Sequence, residues 1–345
     1  PFPPIVMVVP CVAAAPASRH ALLAPQRVAG ARKSAFLART LGGLRTPCAV
    51  VDPRGALAGR ARWCPPPAAP APAASSRGRA APPRAIPVEA IQAALTSNSP
   101  GLAAGLAFNT AVFVGGISVL LAGLTPWGVA NSWALGTAVF SAFGGRGYLL
   151  VCLYFIFGSL VTKIKLEQKQ AEGIAEARGG RRSPGSVWGS GIAGMACAVA
   201  ALALGAGAPL EPALRLGFVA SFASKLADTS SSEIGKAYGK TTYLSTPPFK
   251  RVPRGTEGAV SLEGTAGGAV AAGLFSLVAL LLGQVDATGC GICVVAAVLA
   301  NAFESALGAT VQGEVAWLNN DVVNMIQITL AAAIAVGLAS IMEIL

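Results

Sequence analysis

Long apolar blocks alternate along the chain with shorter polar stretches. A membrane-crossing helix needs about 20 mostly apolar residues, and fewer beside protein-lined cavities. Blocks of this kind fall at roughly 100–123, 127–143, 147–162, 187–208, 212–227, 263–283, 288–310 and 322–344. The pattern predicts an all-α, polytopic integral membrane protein with about seven to eight transmembrane helices, two of the shorter ones open to being half-helices. Small residues at helical spacing, Gly101/Gly105 and Gly264/Gly268, predict close helix contacts.

The polar stretches place the spans relative to one another. "TKIKLEQKQAEGIAEARGGRRS" (162–183) and "SFASKLADTSSSEIGKAYGKTTYLSTPPFKRVPRGTEGAVSLEGT" (221–265) each carry six Lys and Arg residues. Two blocks joined by the short "GAGAPLEP" separate them, so both fall on one face, as the positive-inside rule requires. Counting forward, "ESALGATVQGEVAWLNNDVVN" (304–324) returns to that face. Three polar regions therefore converge on one membrane surface. Within 162–183, Lys165/Lys169 and Glu172/Glu176 lie on neighbouring turns and read as the solvated face of a surface helix.

Composition agrees: 54% hydrophobic and 12% charged residues give a mean hydropathy of +0.62. The net charge of +11 suggests a nucleic-acid partner until it is located. Residues 1–87 hold eleven Arg and one Lys against Asp52 alone, and 88–345 are balanced, so no nucleic-acid partner is expected. The Arg-, Ala- and Pro-rich, acid-poor stretch 1–87 reads as an organelle transit peptide with a Pro/Ala-rich disordered linker, and 88–345 as the membrane domain. The one His, His20, lies in the leader, which removes imidazole-based triads and His-ligated metals from 88–345. Cys290 and Cys293 form a lone C-x-x-C in an apolar block, without a second pair, and read as packing residues.

"GKAYGKT" at 235–241 invites comparison with a phosphate-binding loop. That loop needs G-x-x-x-x-G-K-[ST], and the position five before Gly239 is Ile234; a membrane helix rather than a buried strand precedes it. The P-loop is rejected. A helix from Asp228 would instead align Asp228, Ser231, Ser232, Gly235 and Gly239 on one face. Ser230 and Glu233 also match a capping box, which would start a new helix there. A carboxylate at the end of a span is costly and points to ion or substrate binding at Asp228. Beyond it, Pro247, Pro248 and Pro253 force a loop presenting Lys250, Arg251 and Arg254. Carboxylates at Asp228, Glu233, Glu257 and Glu263 beside these cations suit a divalent metal with Lys and Arg on phosphate oxygens. Glu304, Asn320, Asp321 and Asn324 on the same face can add ligands.

These residues, "ADTSSSEIGK…GK…P-x-K-R-V-P-R-GTEGAVS-x-EGT", then "ESALGATVQ" and "WLNNDVVN", resemble the membrane family that includes the plastid phytyl-phosphate kinase of vitamin E biosynthesis, over about 95–345. In outline they also resemble the CTP-using phytol kinases, dolichol kinases and CDP-diacylglycerol synthases. The resemblance implies that 88–345 is a transmembrane kinase domain that moves a phosphoryl group from CTP, with Mg²⁺, to phytyl monophosphate. The product, phytyl diphosphate, would serve tocopherol and phylloquinone synthesis in a chloroplast membrane, the inner envelope. It implies Asp228 as the principal metal and nucleotide carboxylate with Ser231 and Ser232 beside it. Gly235, Lys236, Gly239 and Lys240 would line the triphosphate, and Lys250, Arg251 and Arg254 would clamp phosphate. Glu257 would be a second acidic ligand, and Asp321 and Asn324 would close the site.

The chemistry tolerates the missing imidazole, because a phosphomonoester, with a second pKa of about 6, is already largely ionised near neutral pH. Two other enzymatic readings fit the same residues: a phytol or polyprenol kinase, and a CDP-lipid-forming cytidylyltransferase. A reading from another class is a membrane transporter with a broken helix binding an anion near mid-membrane.

Overall fold

A computed structural model describes residue 92, residues 96–311, residue 315 and residues 317–343. The transit-peptide and linker expectation for 1–87 lies outside the described residues. Helices dominate: α1 (Leu102–Gly115), α2 (Ile117–Gly123), α3 (Pro126–Lys163), α4 (Leu166–Ala171), α5 (Pro184–Leu204) and α6 (Glu211–Tyr238). A hairpin of β1 (Thr242–Leu244) and β2 (Ala259–Ser261) follows, then α7 (Leu262–Leu281), α8 (Ala287–Thr310) and α9 (Asn320–Ile341). The fold is all-α and integral to the membrane. Among the described residues five helices are long and apolar enough to cross a bilayer, and six if α1 and α2, bent by 78°, form one broken span.

The expected seven to eight spans are recovered once two features that this tally merges or omits are counted. First, the blocks at 127–143 and 147–162 belong to one element, α3, whose Gly144 has φ 65° and ψ −168°, a conformation open essentially to glycine alone. The element doubles back there. A Cβ on Gly128 would lie 2.5 Å from the Arg182 carbonyl oxygen and one on Gly158 2.5 Å from the Arg182 guanidinium. A straight helix would separate those two glycines by about 45 Å. Each arm is about 27 Å long, close to a bilayer core. Second, the block at 212–227 is the apolar half of α6, which continues to Tyr238 through Asp228, Glu233 and Lys236 and is too polar on average to pass as a span.

α6 is the axis of the bundle, packed against α3, α5, α7, α8 and α9. Every residue from Leu216 to Ala227 is buried. Lipid tails are as apolar as Leu, so dispersion and close fit, rather than water exclusion, hold such helices together. Phe143 and Phe218 meet at a tilt with centroids 4.8 Å apart, and Phe218–Phe222 and Tyr154–Phe222 pack edge to face at 5.3 Å each. Each such pair contributes about 0.5–1.5 kcal/mol beyond simple burial. The predicted small-residue contacts are present at Gly105, Gly264 and Gly268, whereas at Gly101 a Cβ would meet open space. A Cβ on Gly105 would lie 1.9 Å from Ser141 Oγ, and one on Gly268 1.9 Å from Ser231 Oγ. Gly268→Leu would therefore push α7 off α6. Cys293 is buried beside the Leu216 carbonyl, as a packing residue should be.

Candidate active site

The three polar regions meet at one end of the bundle, around a cavity of about 420 Å³. α6 forms its floor, because the helix runs unbroken through Ser230 and so presents Lys225, Asp228, Ser231, Ser232, Gly235 and Lys236 along one face. The capping-box expectation is thereby corrected: Ser230 is buried inside a continuous helix, and Glu233 reaches across to another element instead of back to a cap. α7 enters beside it, N-capped by Ser261, whose Oγ accepts from the Gly264 amide at 3.1 Å. A Cβ on Gly264 would lie 2.6 Å from the Ser231 carbonyl oxygen, so glycine sets the closeness of α6 and α7 here.

The remaining walls come from the β-hairpin, α8, α9 and the loop after α4. Gly258 has φ +68°, and a Cβ there would meet the Ala309 backbone nitrogen at 2.2 Å, so only glycine lets the hairpin lie on α8. That seat brings Glu257 to the cavity beside Glu304 of α8. Asn301 Nδ2 donates to Ser231 Oγ at 3.0 Å and ties α8 to α6. Asn320 and Asn324 of α9 complete the rim.

The electrostatics centre on Lys225, which is buried and donates to Asp228 at 2.5 Å. Glu304 lies within electrostatic reach of Asp228, Lys225 and Glu257. The lining holds four carboxylates (Glu176, Asp228, Glu257, Glu304) and two ammonium groups (Lys225, Lys236). Two formal negative charges are left over. Such a surplus repels a bare polyphosphate and suits one carrying a divalent cation. Among the described residues no three His, Cys, Asp or Glu side chains close into a metal cage. Mg²⁺ does not require one, since it commonly keeps waters and takes one or two carboxylates plus substrate phosphates.

The expected site residues divide into two groups. Asp228, Ser231, Ser232, Gly235, Lys236, Glu257 and Asn324 line the cavity. Glu233 does not: it is 1% exposed, pairs with the equally buried Lys169 and accepts from Lys236 at 3.1 Å, so both its oxygens are engaged. Asp321 lines a neighbouring lobe and not the cavity, its carboxylate against Gly185. Arg254 donates to Glu172 at 2.8 and 2.9 Å and to the Lys236 carbonyl at 3.2 Å. Lys240, Lys250 and Arg251 are exposed away from the cavity, and Gly239 ends α6 against Ser261. The solvated-face reading of 162–183 is corrected too, because Lys169–Glu233, Glu172–Arg254 and Glu176–Lys236 lace that loop to α6 and the hairpin.

Sequence reasoning passed over Lys225. The argument that singled out Asp228, a charge inside an apolar block, applies equally to a Lys three residues earlier. It also passed over Arg182, whose neighbours in sequence are charged and which therefore looked like one more loop cation.

The fold and the site define a polytopic membrane protein with polar chemistry at one bilayer face, and comparison with known proteins places the chain in a family. Residues 109–332 match the family described as integral membrane protein DUF92, and the chain belongs to it. It is 48% identical over 244 residues to the protein VTE6, chloroplastic, of Arabidopsis thaliana, covering 70% of this chain and 73% of that protein. An uncharacterised membrane protein of Synechocystis is 46% identical over 222 residues, covering 64% of this chain and 85% of that one. An uncharacterised membrane protein of Methanocaldococcus jannaschii is 30% identical over 210 residues, covering 61% and 83%. No solved structure matches the chain.

Proposed function

We propose that this protein is a CTP-dependent kinase of a chloroplast membrane, the inner envelope, that converts phytyl monophosphate to phytyl diphosphate for tocopherol and phylloquinone synthesis. One observation carries the reading: the acid-rich cavity at the bilayer face in which Asp228, Glu257 and Glu304 surround the buried Lys225. The motif resemblance and the likeness to a protein called chloroplastic support the pathway and the address.

In this reading an oxygen of the acceptor monophosphate attacks the γ-phosphorus of CTP. The bond from that phosphorus to the β–γ bridging oxygen breaks, and CDP leaves. The acceptor oxygen is already ionised, so no general base is required, in keeping with a site that contains no His. Lys225 and Lys236 neutralise charge on the transferring and leaving oxygens. Gly235 lets the α6 backbone side approach phosphate without a side chain in the way. Asp228, Glu257 and Glu304 fit a Mg²⁺ ion, which when bound supplies electrostatic neutralisation of the β- and γ-phosphates.

The test uses the full chain purified in detergent with Mg²⁺ and, separately, CTP, ATP, UTP and GTP, offered phytol or phytyl monophosphate. Phytyl diphosphate and CDP from CTP, lost in Asp228→Asn, are the expected products. Pyrophosphate in place of CDP would make the protein a cytidylyltransferase, and phosphorylation of phytol alone would make it a prenol kinase. No transfer from any nucleotide by folded protein would remove the kinase reading.

A further inference from the structure

The polar cavity is the first of three neighbouring spaces with shared walls. It shares Glu176, Lys225, Thr229, Asn320 and Asn324 with a lobe of about 90 Å³ whose lining adds Arg178, Arg181 and Arg182. The lobe in turn shares Tyr154, Arg182 and Ser190 with an apolar groove of about 350 Å³ between α1, α2, α3 and α5. Val119 and Ile156 on the groove are 71% and 48% exposed, so it opens toward the lipid side of the bundle.

The charge of the lobe is opposite to that of the cavity. Arg178, Arg181 and Arg182 stand against Glu176 and Asp321, leaving one formal positive charge, while Lys225, bound to Asp228, lies at the boundary with the cavity; the surplus has the sign that attracts a phosphomonoester dianion. Arg182 stands where lobe and groove meet. Its guanidinium donates to the Tyr154 hydroxyl and to Ser190 Oγ at 3.3 Å, and lies over the Tyr154 ring at 4.7 Å. No carboxylate pairs with it among the described residues. A guanidinium at an apolar wall without a counter-ion is costly, and an anionic ligand offsets that cost.

The backbone holds Arg182 in this place. Its amide donates to the Gly123 carbonyl at 2.9 Å, and its carbonyl accepts from the Thr125 amide at 3.0 Å. Both arms of α3 leave room for it, with Gly128 against its carbonyl and Gly158 against its guanidinium. A side chain at either glycine would displace the residue.

We propose that groove and lobe together bind an amphiphile made of an apolar chain headed by a phosphate. The chain lies in the groove along Phe113, Leu120, Val151 and Phe155, and the phosphate sits on Arg182, facing Lys225 and the polar cavity. This deepens the kinase reading and rests on it for the identity of the head group as acceptor. Arg182 is then the residue that distinguishes a lipid phosphate from the lipid alcohol.

The test uses the full chain in nanodiscs without nucleotide, with diazirine-tagged geranylgeranyl monophosphate and the matching tagged alcohol as probes. Cross-links mapped by mass spectrometry on the wild-type chain should fall on the groove lining, within residues 112–156 or at Val187 or Phe222. Arg182→Gln should weaken labelling by the phosphate probe about tenfold or more, the scale of a lost charge-assisted hydrogen bond, while leaving the alcohol probe unchanged. Arg182→Lys should restore part of the loss. Cross-links elsewhere in the wild type, or equal loss of both probes in Arg182→Gln, would overturn the proposal. The two readings fail separately. Labelling in the groove with no nucleotide-dependent transfer removes the kinase and keeps the groove; transfer with labelling elsewhere does the reverse.

Discussion

The two ends of α6 carry the same kinds of charge and use them differently. At the first end Arg215 donates to Glu211 at 2.6 and 3.1 Å, to Gln284 at 3.0 Å and to the Asn98 carbonyl at 2.9 Å, with Phe143 under its guanidinium at 5.2 Å. Its donors are consumed by the protein, and what they hold is the chain before α1, the start of α6 and the end of α7. At the other end Lys225 has one carboxylate in hydrogen-bonding contact, Asp228, while Glu304 and Glu257 stand in electrostatic range across an open cavity. A charge in an apolar bundle persists because it fastens the protein or because it receives a ligand. The number of partners already in place separates the two cases.

The sharpest break of that comparison is Lys225→Met. Removing the one buried cation of the cavity should lower phosphoryl transfer by about 10²–10³, as loss of a preorganised charge-stabilising donor does. Steady-state rates on detergent-purified protein, with a thermal-shift check that it remains folded, measure this. A variant within a few-fold of wild type would place the chemistry elsewhere. Glu304→Gln should act next most strongly, raising the Mg²⁺ concentration for half-maximal rate by about 10–100-fold, the usual scale for loss of a metal-site partner. A Mg²⁺ titration that leaves the midpoint in place would assign Glu304 to structure alone.

Arg215→Met probes the closed end and should change a different quantity. Breaking a buried pair costs about 3–5 kcal/mol, and the partial exposure of both side chains, 12% and 19%, lowers the expected loss to about 2 kcal/mol. Thermal stability in detergent should fall, while turnover per folded molecule stays near wild type. A large loss of turnover without loss of stability would make the two ends equivalent and end the comparison.

Much of this was legible in the sequence, and the misses have a common cause. Block lengths showed the helices, including both arms of α3, because a bilayer imposes a minimum apolar length. The face counting that brought 162–183, 221–265 and 304–324 together needed only alternation across the membrane, and those regions do share one cavity. Asp228 and Glu257 stood out as acids, in an apolar block and between glycines, and both line that cavity. Ion pairing was not legible. Lys169 and Glu233 are 64 residues apart, and only the fold shows that each neutralises the other. Arg182 was hidden in the same way, since the packing of α3, not its neighbours in sequence, sets it against the apolar groove.

The smallest expected effect is the most discriminating between sequence and structure. Lys250 and Arg251 sit in a Pro-interrupted loop and match the motif implied to clamp phosphate, yet both side chains are exposed and neither lines the cavity or its lobe. Exposed cations of this kind contribute about 0–1 kcal/mol through screened interactions. The double variant Lys250→Ala/Arg251→Ala should therefore change the transfer rate less than about twofold at physiological ionic strength, where the Debye length is about 8 Å. Arg182→Gln, by contrast, should lower turnover with the lipid phosphate by about tenfold or more. Rates for both variants at saturating and limiting lipid phosphate make the contrast quantitative. A severe loss in the double variant would mean that the loop folds down onto the nucleotide during turnover, which would return the clamp to Lys250 and Arg251 and leave Arg182 to the acceptor alone.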